Sequence, residues 1–172
     1  MEIRPADVED ADRIAEVHVR SWRGAYRGLI PQEYLDGLDT AERAGLWVRI
    51  TGRVDRTRSD VLVAEEDGRL LGFAAFGPTR DEGEDPERTG EVAAIYLDPA
   101  AWSTGCGRVL MASALDRLAA AGYEQATLWV LDTNARARRF YEAAGFRADG
   151  AEKPDDRGTF TLREVRYRRP LD

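Results

Sequence analysis

The stretch WSTGCGRVLM, residues 102–111, sets two glycines, Gly105 and Gly107, one residue apart where irregular sequence gives way to an apolar-periodic helix. Glycine lets backbone N–H groups approach a ligand closely, and the first turn of a helix leaves N–H groups unpaired at the positive end of its dipole. An anionic group, most often phosphate, suits that position. The same two glycines would equally serve to shape a turn or admit a close neighbour. A short glycine pattern does not decide between these.

Around that motif the chain has 172 residues, enough for one well-filled core and short for two, so residues 1–172 are expected to form a single domain. Its 25 basic residues are scattered among 32 acidic ones, leaving a net charge of −7 and no basic block. That argues against nucleic acid as a partner. The start, Met1-Glu2-Ile3-Arg4, opens directly into alternating sequence with no apolar segment behind a basic one, and no run is long enough to cross a bilayer. The expectation is a cytoplasmic protein without a membrane partner, and a homodimer is allowed for. One cysteine, Cys106, and one histidine, His18, can make neither a disulfide nor a structural zinc site, so no metal is expected. Chemistry must come from carboxylates, tyrosines, hydroxyls or backbone.

Glu2 to Arg4 reads as a short strand. From Asp7 to Ser21 the residues Val8, Ala11, Ile14, Ala15, Val17 and Val19 predict an amphipathic helix entered through acidic residues. SWRGAYRGLIPQEYLDGL (21–38), with its aromatics broken by Gly24, Gly28 and Pro31, predicts a bent helical segment or loop, and Thr40 to Thr51 another helix. VLVAEEDGRLLGFAAFG (61–77) is two strand-like runs about Asp67-Gly68, a hairpin signal. The acidic, turn-rich residues 79–90 are expected as a mobile surface loop. EVAAIYL (91–97) is a strand, Gly105 to Ala121 a helix stopped by Gly122, and QATLWVL (125–131) a buried strand. Thr133 to Ala144 is a helix ended by Gly145, and TFTLREVRYR (159–168) a final strand.

This order implies an α/β domain with a mixed sheet flanked by helices. A dinucleotide fingerprint would put its glycines directly after the strand, with a third glycine three positions past the second. Here seven residues separate Leu97 from Gly105 and position 110 is Leu. A Walker A loop needs Gly-Lys-Ser/Thr, which the chain lacks.

The blocks EVAAIYL, Pro99, GCGRVLMASAL and LWVLDTNARARRFYEAAGF, in this order, resemble the core of the GCN5-related N-acetyltransferases. That family's phosphate loop reads Gln/Arg-x-x-Gly-x-Gly/Ala, and its later helix reads Asn-x-x-Ala-x-x-x-Tyr-x-x-x-Gly-Phe. The second pattern is met by Asn134, Ala137, Tyr141, Gly145 and Phe146. IRPADVEDADRIAEVHVRSWRGAY (3–26) is similar to the family's first strand and acceptor-side helices. The chain departs at Trp102, where the family usually has Gln or Arg; Arg108 is a substitute source of charge.

The resemblance implies a mostly antiparallel sheet and acetyl-CoA as co-substrate. It puts the pyrophosphate over Trp102, Ser103, Thr104, Gly105, Cys106, Gly107, Arg108 and Val109, and the pantetheine along the edge of Ile95, Tyr96 and Leu97. Asn134 and Ala137 would meet the pantetheine arm, although Asn134 is also suited to capping its helix. The Leu97 N–H is a candidate oxyanion donor. The acceptor would be a primary amine, small or peptidic, which at neutral pH must shed a proton at a cost of roughly 4.6 kcal/mol for a pKa of about 10.4. Glu91 is expected to take it, directly or through water, unless it is merely a solvent-facing strand residue. Tyr141 matches the general-acid tyrosine that meets the departing thiolate; without the motif it would read as a core aromatic. Trp22 and Tyr26 are candidates for the acceptor pocket or, equally, for the core. Cys106 is a small loop residue rather than a nucleophile, and His18 a packing or helix-surface residue. A CoA-binding regulatory module with little turnover, or use of a longer acyl-CoA, are the alternatives.

Overall fold

The computed structural model describes residues 1–172. One sheet of seven strands forms the middle layer: β1 (Glu2–Pro5), β2 (Asp60–Glu66), β3 (Arg69–Pro78), β4 (Thr89–Leu97), β5 (Gln125–Leu131), β6 (Arg147–Asp156) and β7 (Thr161–Pro170). Their spatial order is β1-β2-β3-β4-β5-β7-β6, and only β4 and β5 run parallel. Helices α1 (Ala11–Ala25), α2 (Gln32–Asp36) and α3 (Thr40–Thr51) belong to the first half of the chain, α4 (Cys106–Ala120) and α5 (Ala135–Ala143) to the second. The expected class, a single α/β domain on a mostly antiparallel sheet, is what the chain adopts.

Strand alternation divides the core in two. Val61, Val63, Phe73 and Ala75 pack under Ile14, Val17 and Trp47 of α1 and α3. Their neighbours Leu62, Ala74 and Phe76 turn to the opposite face and meet Leu110, Met111, Ala114 and Leu118 of α4. The hairpin falls where expected, with Asp67 (φ 50) and Gly68 (φ 74) as the two turn residues.

Three expectations change. The helix from Asp7 continues past Ser21 to Ala25, so Trp22 and Gly24 are helical rather than part of a bend. Gly24 is tolerated there because a Cβ would lie 2.9 Å from Cη2 of Trp102 and 3.0 Å from Cγ of Pro99. Residues 79–90 are not a free loop: Thr89 and Gly90 already belong to β4, and Trp129 Nε1 donates to Asp81 Oδ1 (2.9 Å) while Arg166 pairs with Asp81 and Glu84. Finally β6 went unforeseen. Its sequence, RADGAEKPDD, is polar and holds Pro154, which suits an outermost strand whose pairing runs along one side only, to β7.

Candidate active site

The sheet opens at its one parallel junction. β4 and β5 pair only at Thr89–Gln125, Gly90–Ala126 and Glu91–Thr127, after which the two strands separate. The register of β4 against β3 slips just beyond, with Ala75 opposite Ala94 and Phe76 opposite Val92, so Ala93 is the extra residue of a bulge. Asp98 N donates to Leu71 O of β3 (2.8 Å), and alternation gives Tyr96 the same facing. The amides of Ile95 and Leu97 therefore point the other way, into the gap. The open edge lies at Ile95 and Leu97, where the resemblance lays the pantetheine.

A cavity of about 700 Å³ occupies the gap and runs to both sides of it. At one end lies the glycine motif. Gly105 is the N-cap of α4 with φ 92, a left-handed conformation costly for any side chain, and a Cβ there would meet nothing nearer than the Arg108 guanidinium at 3.9 Å. The first helical bond is Val109 N to Gly105 O (3.2 Å), so the Val109 amide is spent within the helix, and the amide of Cys106 faces Thr104 Oγ1 at 3.4 Å. Gly107 and Arg108 retain unpaired first-turn N–H groups beside the cavity.

Of the residues expected on the cofactor, Ile95, Tyr96, Leu97, Trp102, Ser103, Gly105, Gly107, Arg108, Asn134, Ala137 and Tyr141 line the cavity; Thr104, Cys106 and Val109 do not. Thr104 Oγ1 donates to Ala101 O (2.7 Å), tying the loop to itself, and Val109 faces solvent. The Cys106 side chain is buried and burial pushes its thiol pKa up, the opposite of an activated nucleophile. Asn134 does cap α5, its Oδ1 accepting from Ala137 N (3.1 Å), and it also borders the cavity.

Trp102 has a companion that sequence reasoning missed. The Arg136 guanidinium carbon sits 3.8 Å from the Trp102 ring centroid, and both line the cavity beside the glycine loop. The two are 34 positions apart in the chain, so no local pattern announces the pair.

Tyr141 is half-buried on the cavity wall, and burial followed by the nearby Tyr96 raises its pKa, so the phenol stays protonated. Glu91 is not solvent-facing: it is 3% exposed, and both its oxygens are taken by Arg80, through Nη2 to Oε1 (2.6 Å) and Nε to Oε2 (3.2 Å), with the Arg80 backbone N–H adding a third bond (3.1 Å). Trp22 and Tyr26 stand at the other end of the cavity in edge contact, 4.8 Å between ring centres. His18 belongs to the core: its Nδ1 accepts from Trp47 Nε1 (3.0 Å), its ring stacks on Tyr96 at 5.1 Å, and burial, then the charges of Arg43 and Arg157, brings its pKa down to about 4. Glu164 of β7, which sequence reasoning passed over, also borders the cavity, and burial pushes its carboxyl pKa up.

A sheet split at one parallel junction, beside a helix whose glycine-led N-terminus borders the split, is the architecture of an acyltransferase. The model of the acetyltransferase (GNAT) family matches residues 16–146, and the chain belongs to that family. It is 38% identical over 133 residues to the uncharacterised N-acetyltransferase YuaI of Bacillus subtilis, covering 77% of this chain and 72% of that one. An uncharacterised N-acetyltransferase of Archaeoglobus fulgidus is 34% identical over 147 residues, 86% of this chain and 93% of its own. Among solved structures, the PaiA N-acetyltransferase of Thermoplasma acidophilum in complex with coenzyme A superposes with a TM-score of 0.75 at 22% identity, covering 98% of both chains. YncA of Salmonella typhimurium, a putative acetyltransferase with acetyl-CoA, gives 0.74 at 24% identity over 100% of this chain and 94% of that one. At these identities the structural likeness speaks to the fold.

Proposed function

We propose that the chain transfers an acetyl group from acetyl-CoA to a primary amine by direct attack of the amine on the thioester. The observation that carries this is the opening beyond Glu91, where two β4 amides face a cavity that reaches the unpaired first turn of α4. The residues present fit the co-substrate. Gly107 and Arg108 offer N–H groups and a cation to the pyrophosphate, with Arg136 on its Trp102 platform supplying a second cation. Ile95 and Leu97 offer strand-like pairing to the pantetheine amides, and Asn134, its Oδ1 committed to the cap, still has an NH2 to give. Trp22 Nε1 is buried with no partner in the chain although Trp22 lines the cavity, as expected of a donor completed by a ligand.

In this reading Leu97 N–H stabilises the developing oxyanion, and Tyr141, protonated throughout the physiological range, hydrogen-bonds the departing sulfur rather than surrendering its proton early. Glu91 and Arg80 form a fixed ion pair at the mouth, so relay of a proton by Glu91 needs an intervening water or release of Arg80. The alternative of little turnover rests on Trp102, which brings no charge; Arg136 stacked on it offers one.

Coenzyme A and acetyl-CoA should raise the melting temperature while ATP and NAD do not. At a hundredfold excess over Kd the stabilisation is about 2.7 kcal/mol, which for a domain of this size is roughly 5–10 °C. Thiol release from acetyl-CoA across a panel of primary amines then reads turnover. No thermal shift at millimolar coenzyme A would overturn the assignment.

A further inference from the structure

The end of the cavity away from the glycine loop holds three carboxylates, Glu91, Asp155 and Glu164, and three cations, Arg80, Lys153 and Arg157. Two of the acids are ion-paired within hydrogen-bond distance, Glu91 with Arg80 through both oxygens and Asp155 through Oδ2 alone. Asp155 accepts from Arg157 Nη2 (2.7 Å) and Nε (2.9 Å), and Arg157 Nη1 goes on to donate to the Tyr34 hydroxyl (3.0 Å).

Glu164 is different. Its nearest cation is Lys153 Nζ, 3.9 Å from Oε2, beyond hydrogen-bond distance, and that ammonium lies 4.2 Å from the Trp129 ring centre instead. The side chain is 23% exposed. In register Glu164 stands opposite Leu131 at the end of β5 and opposite Lys153 of β6, so it belongs to the wall that faces β4 across the opening. The charges that reach it are Lys153, Arg157 and Arg80, which favour its ionised form, and Asp155, which opposes it along with burial; Tyr26 and Tyr96 in turn feel its charge. A carboxylate with unused lone pairs and no tight cation, on a cavity that Trp22, Tyr26 and Tyr96 also line, has the chemistry to receive an ammonium.

We propose that Glu164 is the residue that binds the acceptor's ammonium group and takes its proton. This rests on the acetyl-transfer reading above. The N–H bond of R-NH3+ breaks and its proton goes to the Glu164 carboxylate. The freed lone pair forms the C–N bond at the thioester carbonyl carbon as the C–S bond breaks. A second proton leaves the nitrogen for the departing thiolate, giving R-NH-CO-CH3 and the free thiol, and Glu164 returns the first proton to solvent. Burial in the cavity wall raises the proton affinity of the carboxylate. Glu91, held by Arg80, keeps the mouth in shape.

The test uses the full chain saturated with acetyl-CoA and methylamine, glycine, spermidine and an alanine-initiated peptide as acceptors. With the fastest of these, Glu164→Gln is expected to lower kcat about a hundredfold at neutral pH, the deficit shrinking as pH rises and more amine arrives deprotonated. Retention of the coenzyme A thermal shift by the variant shows that the fold and the cofactor end are intact. With glutamate labelled at the side-chain carboxyl, one resonance missing from Glu164→Gln should titrate above the usual carboxylate range, and Lys153→Met should move it higher still. Wild-type turnover with an unchanged rate and pH profile in Glu164→Gln overturns the role of Glu164 alone, as does a resonance titrating at or below the usual range. Absence of thiol release from the wild type with every acceptor overturns the transferase reading and this assignment with it.

Discussion

Replacing Arg136 with alanine separates a ligand role from a structural one, because the first predicts a large loss of coenzyme A affinity and the second only a small change in stability. Arg136 is an exposed residue in the first turn of α5, where a cation opposes the helix dipole. Loss of that charge relieves about 0.3 kcal/mol of dipole repulsion but forfeits a cation–π contact of about 0.5–1 kcal/mol, so the free protein's stability should fall by less than about 1 kcal/mol. The guanidinium lies 3.8 Å from the Trp102 ring centroid at the lip of the glycine loop. If it meets a phosphate of coenzyme A there, each charge-assisted hydrogen bond is worth about 1.5–3 kcal/mol, so Kd should rise roughly 10- to 100-fold. Calorimetric titration of coenzyme A into wild type and variant reads this. Titration of coenzyme A lacking its 3′-phosphate shows which group is held: if Arg136 grips the 3′-phosphate the two proteins bind that analogue alike, and if it grips the pyrophosphate the variant remains weaker. Trp102→Ala should cost affinity and stability together, since the ring also covers Gly24 of α1. A coenzyme A Kd for Arg136→Ala within twofold of wild type would refute the reasoning.

Tyr141→Phe removes only the hydroxyl, so it should lower kcat by about tenfold or more while acetyl-CoA affinity stays nearly the same; full activity would make Tyr141 a packing residue. The His18 pKa of about 4 lies below the 6.5 of the unfolded chain, so the unfolded state binds more protons between those values. The associated stability, roughly 3 kcal/mol, is therefore complete above pH 6.5 and lost as pH falls towards 4, and chemical denaturation of wild type and His18→Gln at both ends of that window checks it. Gly105→Ala should cost about 1–2 kcal/mol of stability from its positive φ, read by thermal unfolding without ligand, with no steric contribution because the site is open.

What the sequence announces and what it hides follow from the range of the interactions involved. Asp67-Gly68, Gly105, Gly122 and Gly145 are local signals, each a left-handed position in the structure, and they located a hairpin, a helix start and two helix stops. The period-2 runs of β2 and β3 were equally legible because one residue in two faces each core layer. Strand β6 has no such pattern: its residues are largely exposed and its pairing is dictated by β7. The motif residues Asn134 and Tyr141 were legible as a pair on one helix. Arg136 on Trp102, Arg80 on Glu91 and the unengaged state of Glu164 were not, since each depends on which charges the fold brings within reach, and 33% of this chain is charged.

The opening between β4 and β5 has a cost that bears on function. Continuing the parallel ladder past Glu91 and Thr127 would pair the amides of Ile95 and Leu97; separation leaves them without strand partners at the edge of a cavity. A backbone group deprived of both protein and water costs about 1–3 kcal/mol, so such an edge persists only where water or a ligand can reach it. The bulge at Ala93 turns β4 away, and β5 is held on its far side by seven register pairs with β7 from Gln125 to Leu131. The chain thus spends its bulge and its longest β5 pairing on keeping the gap apart. α5 follows β5 directly, so Asn134 and Tyr141 arrive over the gap by connectivity alone, and α4 follows β4 through the short turn at Pro99–Ala101, so its unpaired first turn arrives from the other strand. Donor groups from both sides of the split converge because the sheet fails to close there, and a restored ladder would remove the gap they share while moving Val92, Ile95, Leu128 and Val130 of the layer under α4.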